Sequence, residues 1–92
     1  MSITRTRSTQ AAATFADKSI DILHVDGNHS LAGVMADVRA WLPRVARGGL
    51  LIMDDAGWFE NGVATVKQAI AFLVANGCKI EFSGDYVVLR KS

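Results

Sequence analysis

The sequence predicts an α/β fold in which parallel strands alternate with helices packed on the sheet and an antiparallel hairpin closes the chain. Three observations lead there. Ile20 to Val25 and Leu50 to Met53 are short runs with apolar residues at nearly consecutive positions, the pattern of parallel strands covered on both faces. Between them, Leu31, Val34, Met35, Val38, Trp41, Leu42 and Val45 fall at helical spacing, so a helix joins the two strands in a βαβ unit, right-handed in nearly all cases. Near the end, Lys79 to Phe82 and Tyr86 to Arg90 flank Ser83-Gly84-Asp85, a connection so short that it requires an antiparallel hairpin.

Each element has a local reason. Met1 to Arg7 sets Ile3 among Thr and Arg, which suits a short strand or an extended arm. Ser8-Thr9 caps a helix predicted over Gln10 to Phe15, where alanines favour helix. Ala16-Asp17-Lys18-Ser19 is a turn, and the strand from Ile20 to Val25 follows. It stops at Asp26-Gly27-Asn28-His29-Ser30, where the period becomes helical. Pro43 should kink or tighten the last turns of that helix, and Gly48-Gly49 should end it. Leu50 to Met53 is the second strand, ending at Asp54-Asp55. Ala56 to Asn61 is a loop carrying Gly57, Trp58, Phe59 and Glu60. A further helix with Val63, Val66, Ile70, Leu73 and Val74 on its stripe runs to Asn76, and Gly77 stops it. The reading is one domain over 1–92, with an arm and short helix in 1–15 and a βαβαββ core in 19–92.

Bulk properties narrow the function classes. The chain has 92 residues, half of them hydrophobic, so a packed core is intended. A formal net charge of +1 gives no electrostatic reason to expect nucleic acid or an anionic membrane surface. Arg5, Arg7 and Lys18 make the first part mildly basic, as a solvated arm would be. The lone Cys78 cannot staple the fold, behaves as a small hydrophobe, and suits a reducing compartment. No apolar run approaches the roughly 18–20 residues of a membrane span, and cytoplasmic is the default expectation.

The chemistry should gather at one rim. In open α/β sheets ligands bind just outside the carboxyl ends of the strands, and here both predicted strands end in acids, at Asp26 and at Asp54-Asp55. The structural alternative is that these aspartates end strands and cap the following helices. His24, inside an apolar run, reads as a core residue, neutral and hydrogen-bonded. Trp41 lies on the helical stripe and reads as core. Trp58 and Phe59 either cover a substrate or pack on the rim.

Taken together, Ile20 to Ser30, then Asp37 and Trp41-Leu42-Pro43, then Gly48 to Asp55 resemble class I S-adenosylmethionine-dependent methyltransferases, and among them the macrocin-type O-methyltransferase group. The likeness covers about residues 15–92, the carboxyl-terminal half of that family's domain, and implies a partial Rossmann-like methyltransferase half-domain. It also implies S-adenosylmethionine as methyl donor, a small-molecule acceptor, and magnesium or a similar divalent cation held by Asp26, Asp54 and Asp55. Hard cations prefer such oxygen donors, and a cation beside a hydroxyl lowers its pKa. His29 and Asn28 are the positions that would face the reacting groups. At Asn28 some relatives carry an aspartate as base, and at Leu31 many carry tyrosine.

A second departure concerns the donor. The glycine-rich turn and the ribose-binding acid of that family have no counterpart in residues 1–25. Without neighbours on that side, the Ile20 to Val25 strand becomes a sheet edge. It must be covered by the amino-terminal arm or paired with another copy, which leads to the expectation of a homodimer or higher oligomer through the edge. Two functional classes follow: a methyltransferase-like module completed by a second copy or a partner, or a non-catalytic folded fragment acting in oligomeric interactions.

Overall fold

The computed structural model describes residues 3–5, 9–25, 30–59 and 62–92. Its sheet has five strands, β1 (Ile3–Arg5), β2 (Ile20–Val25), β3 (Val45–Met53), β4 (Cys78–Ser83) and β5 (Val87–Lys91), in the order β1-β2-β3-β5-β4. β1, β2 and β3 run parallel, while β5 pairs antiparallel with both β3 and β4. The expected βαβ unit and closing hairpin are therefore both present, within one residue of the predicted hairpin ends. Helices α1 (Thr9–Ala12), α2 (Leu31–Trp41) and α3 (Thr65–Ala75) complete the fold.

Register explains the core. Leu23, Leu51 and Leu89 are aligned across β2, β3 and β5, and all three are fully buried. The next aligned row, Val25, Met53 and Val87, points the same way because side chains alternate along a strand. Both rows share one core with Val34, Val38 and Trp41 of α2 and with Val66, Ala69 and Leu73 of α3. Burying each such leucine contributes about 1.5–3 kcal/mol. Phe15, just beyond α1, sets its ring 5.2 Å from that of Trp41.

The opposite face is different. Ile22 and Leu50, then His24, Ile52 and Val88, are only half-buried, and Ile3 and Phe82 beside them are exposed. The strand pattern predicted cover on both faces. Among the described residues, all three helices contribute to the core on one.

Other elements differ from expectation for identifiable reasons. The first helix stops at Ala12 and continues to Phe15 as i→i+3 turns, with the Thr14 hydroxyl donating to Ala11 O. α2 ends at Trp41 and not at Gly48-Gly49, because Pro43, lacking an N–H, turns the chain through a 3-10 segment at Leu42–Arg44. Carbonyls near this helix end are then met by Lys91, whose Nζ donates to Leu42 O at 2.9 Å and Val45 O at 2.8 Å. Its position pushes the Lys91 pKa down through burial.

β3 consequently starts at Val45, five residues before the predicted Leu50. Opposite it, Ile20↔Val45 is followed directly by Ile22↔Leu50, so the chain from Ala46 to Gly49 bulges out. The two glycines serve this bulge. Gly48 has φ +78°, and a Cβ on Gly49 would sit 2.8 Å from Ala46 O and 3.0 Å from Asp21 O. At the end of α3, Gly77, with φ +99°, follows the Asn76 C-cap as predicted. Val63 precedes that helix, and Val74 and Leu31 are exposed instead of lying on buried stripes. The edge of β2 carries β1 over Ile22, Leu23 and His24, which is the first of the two expected ways to cover it.

Candidate active site at the strand ends

The parallel register Val25↔Met53 brings the carboxyl ends of β2 and β3 to the same rim. Pairing persists one step further, where Asp54 N donates to Val25 O at 3.4 Å. Ser30 opens the following helix, its hydroxyl accepting from Gly33 N at 3.1 Å. Of the site residues read from the sequence, Asp54 and Asp55 stand on this rim. Asp26, Asn28 and His29 lie outside the described residues.

Among the described residues, the rim pairs an imidazole with a carboxylate. His24 Nε2 lies 2.5 Å from Asp54 Oδ2, with side chains 17% and 39% exposed. Alternation accounts for it: His24 is beside Ile52 in the register, and Asp54, two residues beyond Ile52, falls on the same face. A carboxylate only accepts, so the pair assigns the proton to Nε2 and leaves Nδ1 of a neutral ring as an acceptor. His24 is thus a half-buried partner of a site acid and not a core residue. The signal was available only through the strand register, since the two residues are 30 apart in sequence.

Asp55 is built differently. Its φ of +52° places it in the left-handed region, which Asp tolerates better than most residues, and the chain turns sharply there. Trp58 N donates to Asp55 O at 2.9 Å to close the turn, while Ala56 N donates to Asp85 O at 3.1 Å. The second bond draws the hairpin tip onto the rim. Asp55, Gly57, Trp58, Gly84 and Asp85 then line a groove of about 360 Å³. Trp58 is 41% exposed along it, and Phe59 is 61% exposed. Sequence alone marks Gly84 and Asp85 only as a turn; topology makes them rim residues, because β5 returns beside β3.

Among the described residues no group of three His, Cys, Asp or Glu side chains is placed to hold a metal ion. The described donors, the Asp54 and Asp55 carboxylates, have the hard oxygen chemistry that magnesium prefers. Cys78 is a free thiol, 3% exposed, and burial pushes its pKa up, as befits a structural cysteine. No described helix is long and apolar enough to cross a membrane.

Comparison with known proteins agrees with this geometry. A family model described as a methyltransferase domain matches residues 1–56, from the arm through β3 to Asp54-Asp55. The Sinorhizobium fredii protein y4gI is 28% identical over 88 residues, a stretch that covers 86% of this chain and 10% of that protein. A crystal structure of a Corynebacterium glutamicum protein superposes with a TM-score of 0.70 at 20% identity, covering 95% of this chain and 45% of the other. The chain therefore spans about a tenth of that curated relative and under half of that solved fold.

Proposed function

Since this chain belongs to the methyltransferase-domain family, we propose that it supplies the acceptor side of an S-adenosylmethionine-dependent O-methyltransferase of the macrocin type. The observation that carries the reading is the His24–Asp54 pair, an imidazole and a carboxylate held together at the carboxyl ends of two parallel strands. Such groups accept hydrogen bonds from a substrate hydroxyl and orient it. Asp26, Asp54 and Asp55 would hold a divalent cation, which when bound lowers the pKa of that hydroxyl. Trp58 and the Gly84-Asp85 tip would flank the acceptor. The residues present do not fit the methyl donor: no glycine-rich turn precedes β2, so donor binding is assigned to protein outside these residues. The free, buried Cys78 is compatible with a cytoplasmic setting.

Calorimetry separates the two sides. Titration with magnesium should give heat that Asp54→Asn abolishes, whereas S-adenosylhomocysteine should give none with this chain alone. No heat at millimolar magnesium would overturn the cation site, and heat from S-adenosylhomocysteine would overturn the division of labour. The same missing turn favours a second reading, a folded module that associates without catalysis; a rim that takes neither magnesium nor acceptor would select it.

A further inference from the structure

We propose that the acceptor reaches past the rim into a second groove, between α3 and the β4–β5 hairpin, and carries a carboxylate there for Lys67. This rests on reading the rim as the acceptor side of a methyltransferase. It names the kind of molecule that side takes: a hydroxyl at one end, an apolar middle and an acid at the other.

The second groove has a volume of about 330 Å³, within the ~300–1,000 Å³ of small-molecule sites, and its apolar lining is Ile70, Ile80 and Val87. Ile80 is aligned with Leu89 and so faces the side of the sheet that the helices occupy, yet on the outermost strand it stays 50% exposed. All of the lining comes from one stretch of chain, residues 56–87.

Two polar groups stand among these apolar ones. Lys67 precedes Ile70 by three residues on α3, so the two share a helix side, and a lysine stem lies along apolar surface while its ammonium stays in water. Lys67 takes part in none of the described ion pairs. Ser83 is paired with Val87, which puts its hydroxyl on the same side of the sheet. An ammonium and a hydroxyl beside aliphatic walls complement a carboxylate on an apolar stem.

This groove meets the one at the rim. Gly57 and Gly84 line both, the rim groove adding Asp55, Trp58 and Asp85. Gly84 is held by its neighbours, since a Cβ there would lie 3.2 Å from the Phe82 ring. Gly57 is not: a Cβ would have nothing within 4 Å, and its φ is not positive. The backbone therefore does not demand glycine at 57, and its bareness keeps the passage between the grooves clear. Polarity changes along that passage, from carboxylates and an indole at the rim, through aliphatic side chains, to the Lys67 ammonium. Carboxylates accept from hydroxyls and the indole takes a ring, which orients the molecule with its hydroxyl at the rim.

The probe is 4-(4-hydroxyphenyl)butanoate, with 4-(4-hydroxyphenyl)butan-1-ol as its uncharged match, each titrated to about 5 mM and followed by amide chemical shifts. The acid should saturate and bind about fivefold tighter than the alcohol, with shifts at Ile80, Ser83 and Gly84. Lys67→Met should erase that preference and leave the alcohol unaffected, whereas Lys79→Met, at an exposed lysine of β4, should change neither. Gly57→Val should weaken both ligands about tenfold by filling the passage, with circular dichroism unchanged. The proposal is overturned by equal binding of acid and alcohol, by a preference that survives Lys67→Met, by indifference to Gly57→Val, or by no saturation at all. Magnesium heat belongs to Asp54 and should be the same in Lys67→Met as in wild type. A failed groove with that heat intact therefore leaves the rim reading standing, and a Lys67-dependent preference without it fails the rim reading alone.

Discussion

The two ends of the β2–β3 pair are built to opposite ends. At the amino end the chain bulges from Ala46 to Gly49 over a hollow of about 510 Å³, larger than the groove of about 360 Å³ at the carboxyl rim. Size is a poor guide here. The larger hollow is lined largely by bulge residues, Ala46, Arg47, Gly48 and Gly49, with Asp21 and Arg90 beside them. At the rim, the smaller groove is lined by Asp55, Trp58 and Asp85 from separate loops, and the His24–Asp54 pair stands at the same strand ends. Backbone geometry governs the first end and side-chain chemistry the second, so substitutions should act on stability at one and on ligand binding at the other.

The sharpest way to break this contrast is Gly49→Ala. An added Cβ meets two backbone oxygens at 2.8 and 3.0 Å, and neither can swing aside as a side-chain tip would. The expected loss is about 2–4 kcal/mol in chemical denaturation. Gly48→Ala has open space and only the positive φ to contend with, and should cost about 1 kcal/mol. Equal, small losses at both positions would mean that the bulge is not the constraint described.

That glycine pair also shows what the sequence can and cannot disclose. Strand runs, the helical stripe between them and the short hairpin connection are local patterns, so the fold class, Trp41 in the core and the Gly77 stop were legible. Two adjacent glycines suit a helix stop and a strand bulge equally, and only the earlier stop at Pro43 decides between them. His24 illustrates the harder case. Inside an apolar run it resembles core, and its role becomes visible when register places Asp54 on its face. The donor-side groups of the resembled family are not in these residues, and Asp26, Asn28 and His29 lie outside those described.

At the rim, His24→Gln sharpens the comparison from the other side. It removes the imidazole that fixes one Asp54 oxygen while leaving the strand intact. Since Asp54 is 39% exposed, water replaces much of the lost bond and stability should fall by only about 0.5–1 kcal/mol. Magnesium affinity, by contrast, should weaken by about 10-fold or more, because partners that orient a metal-binding carboxylate matter to that degree. Calorimetry set beside a urea melt checks both. A large stability loss with unchanged affinity would reverse the roles assigned to the two ends.

The smallest effect belongs to the amino end and is read through pH. Arg90 grips the bulge there, with Nη1 donating to Gly48 O at 2.7 Å, while Nε and Nη2 donate to Glu81. Those hydrogen bonds hold the Glu81 carboxyl below its ordinary value of 4.5, against a weaker opposing effect of desolvation. A carboxylate whose pKa is lower in the folded state adds stability above its unfolded pKa and loses it as pH falls through the folded one. Glu81→Gln should therefore lower the urea midpoint slightly at pH 6, and the difference from wild type should shrink as pH drops below about 4.5. Because the pair is solvent-exposed, added salt should narrow the gap at pH 6 as well. A gap that persists unchanged at low pH would show that Glu81 acts through packing, and that the clamp on Gly48 holds without it.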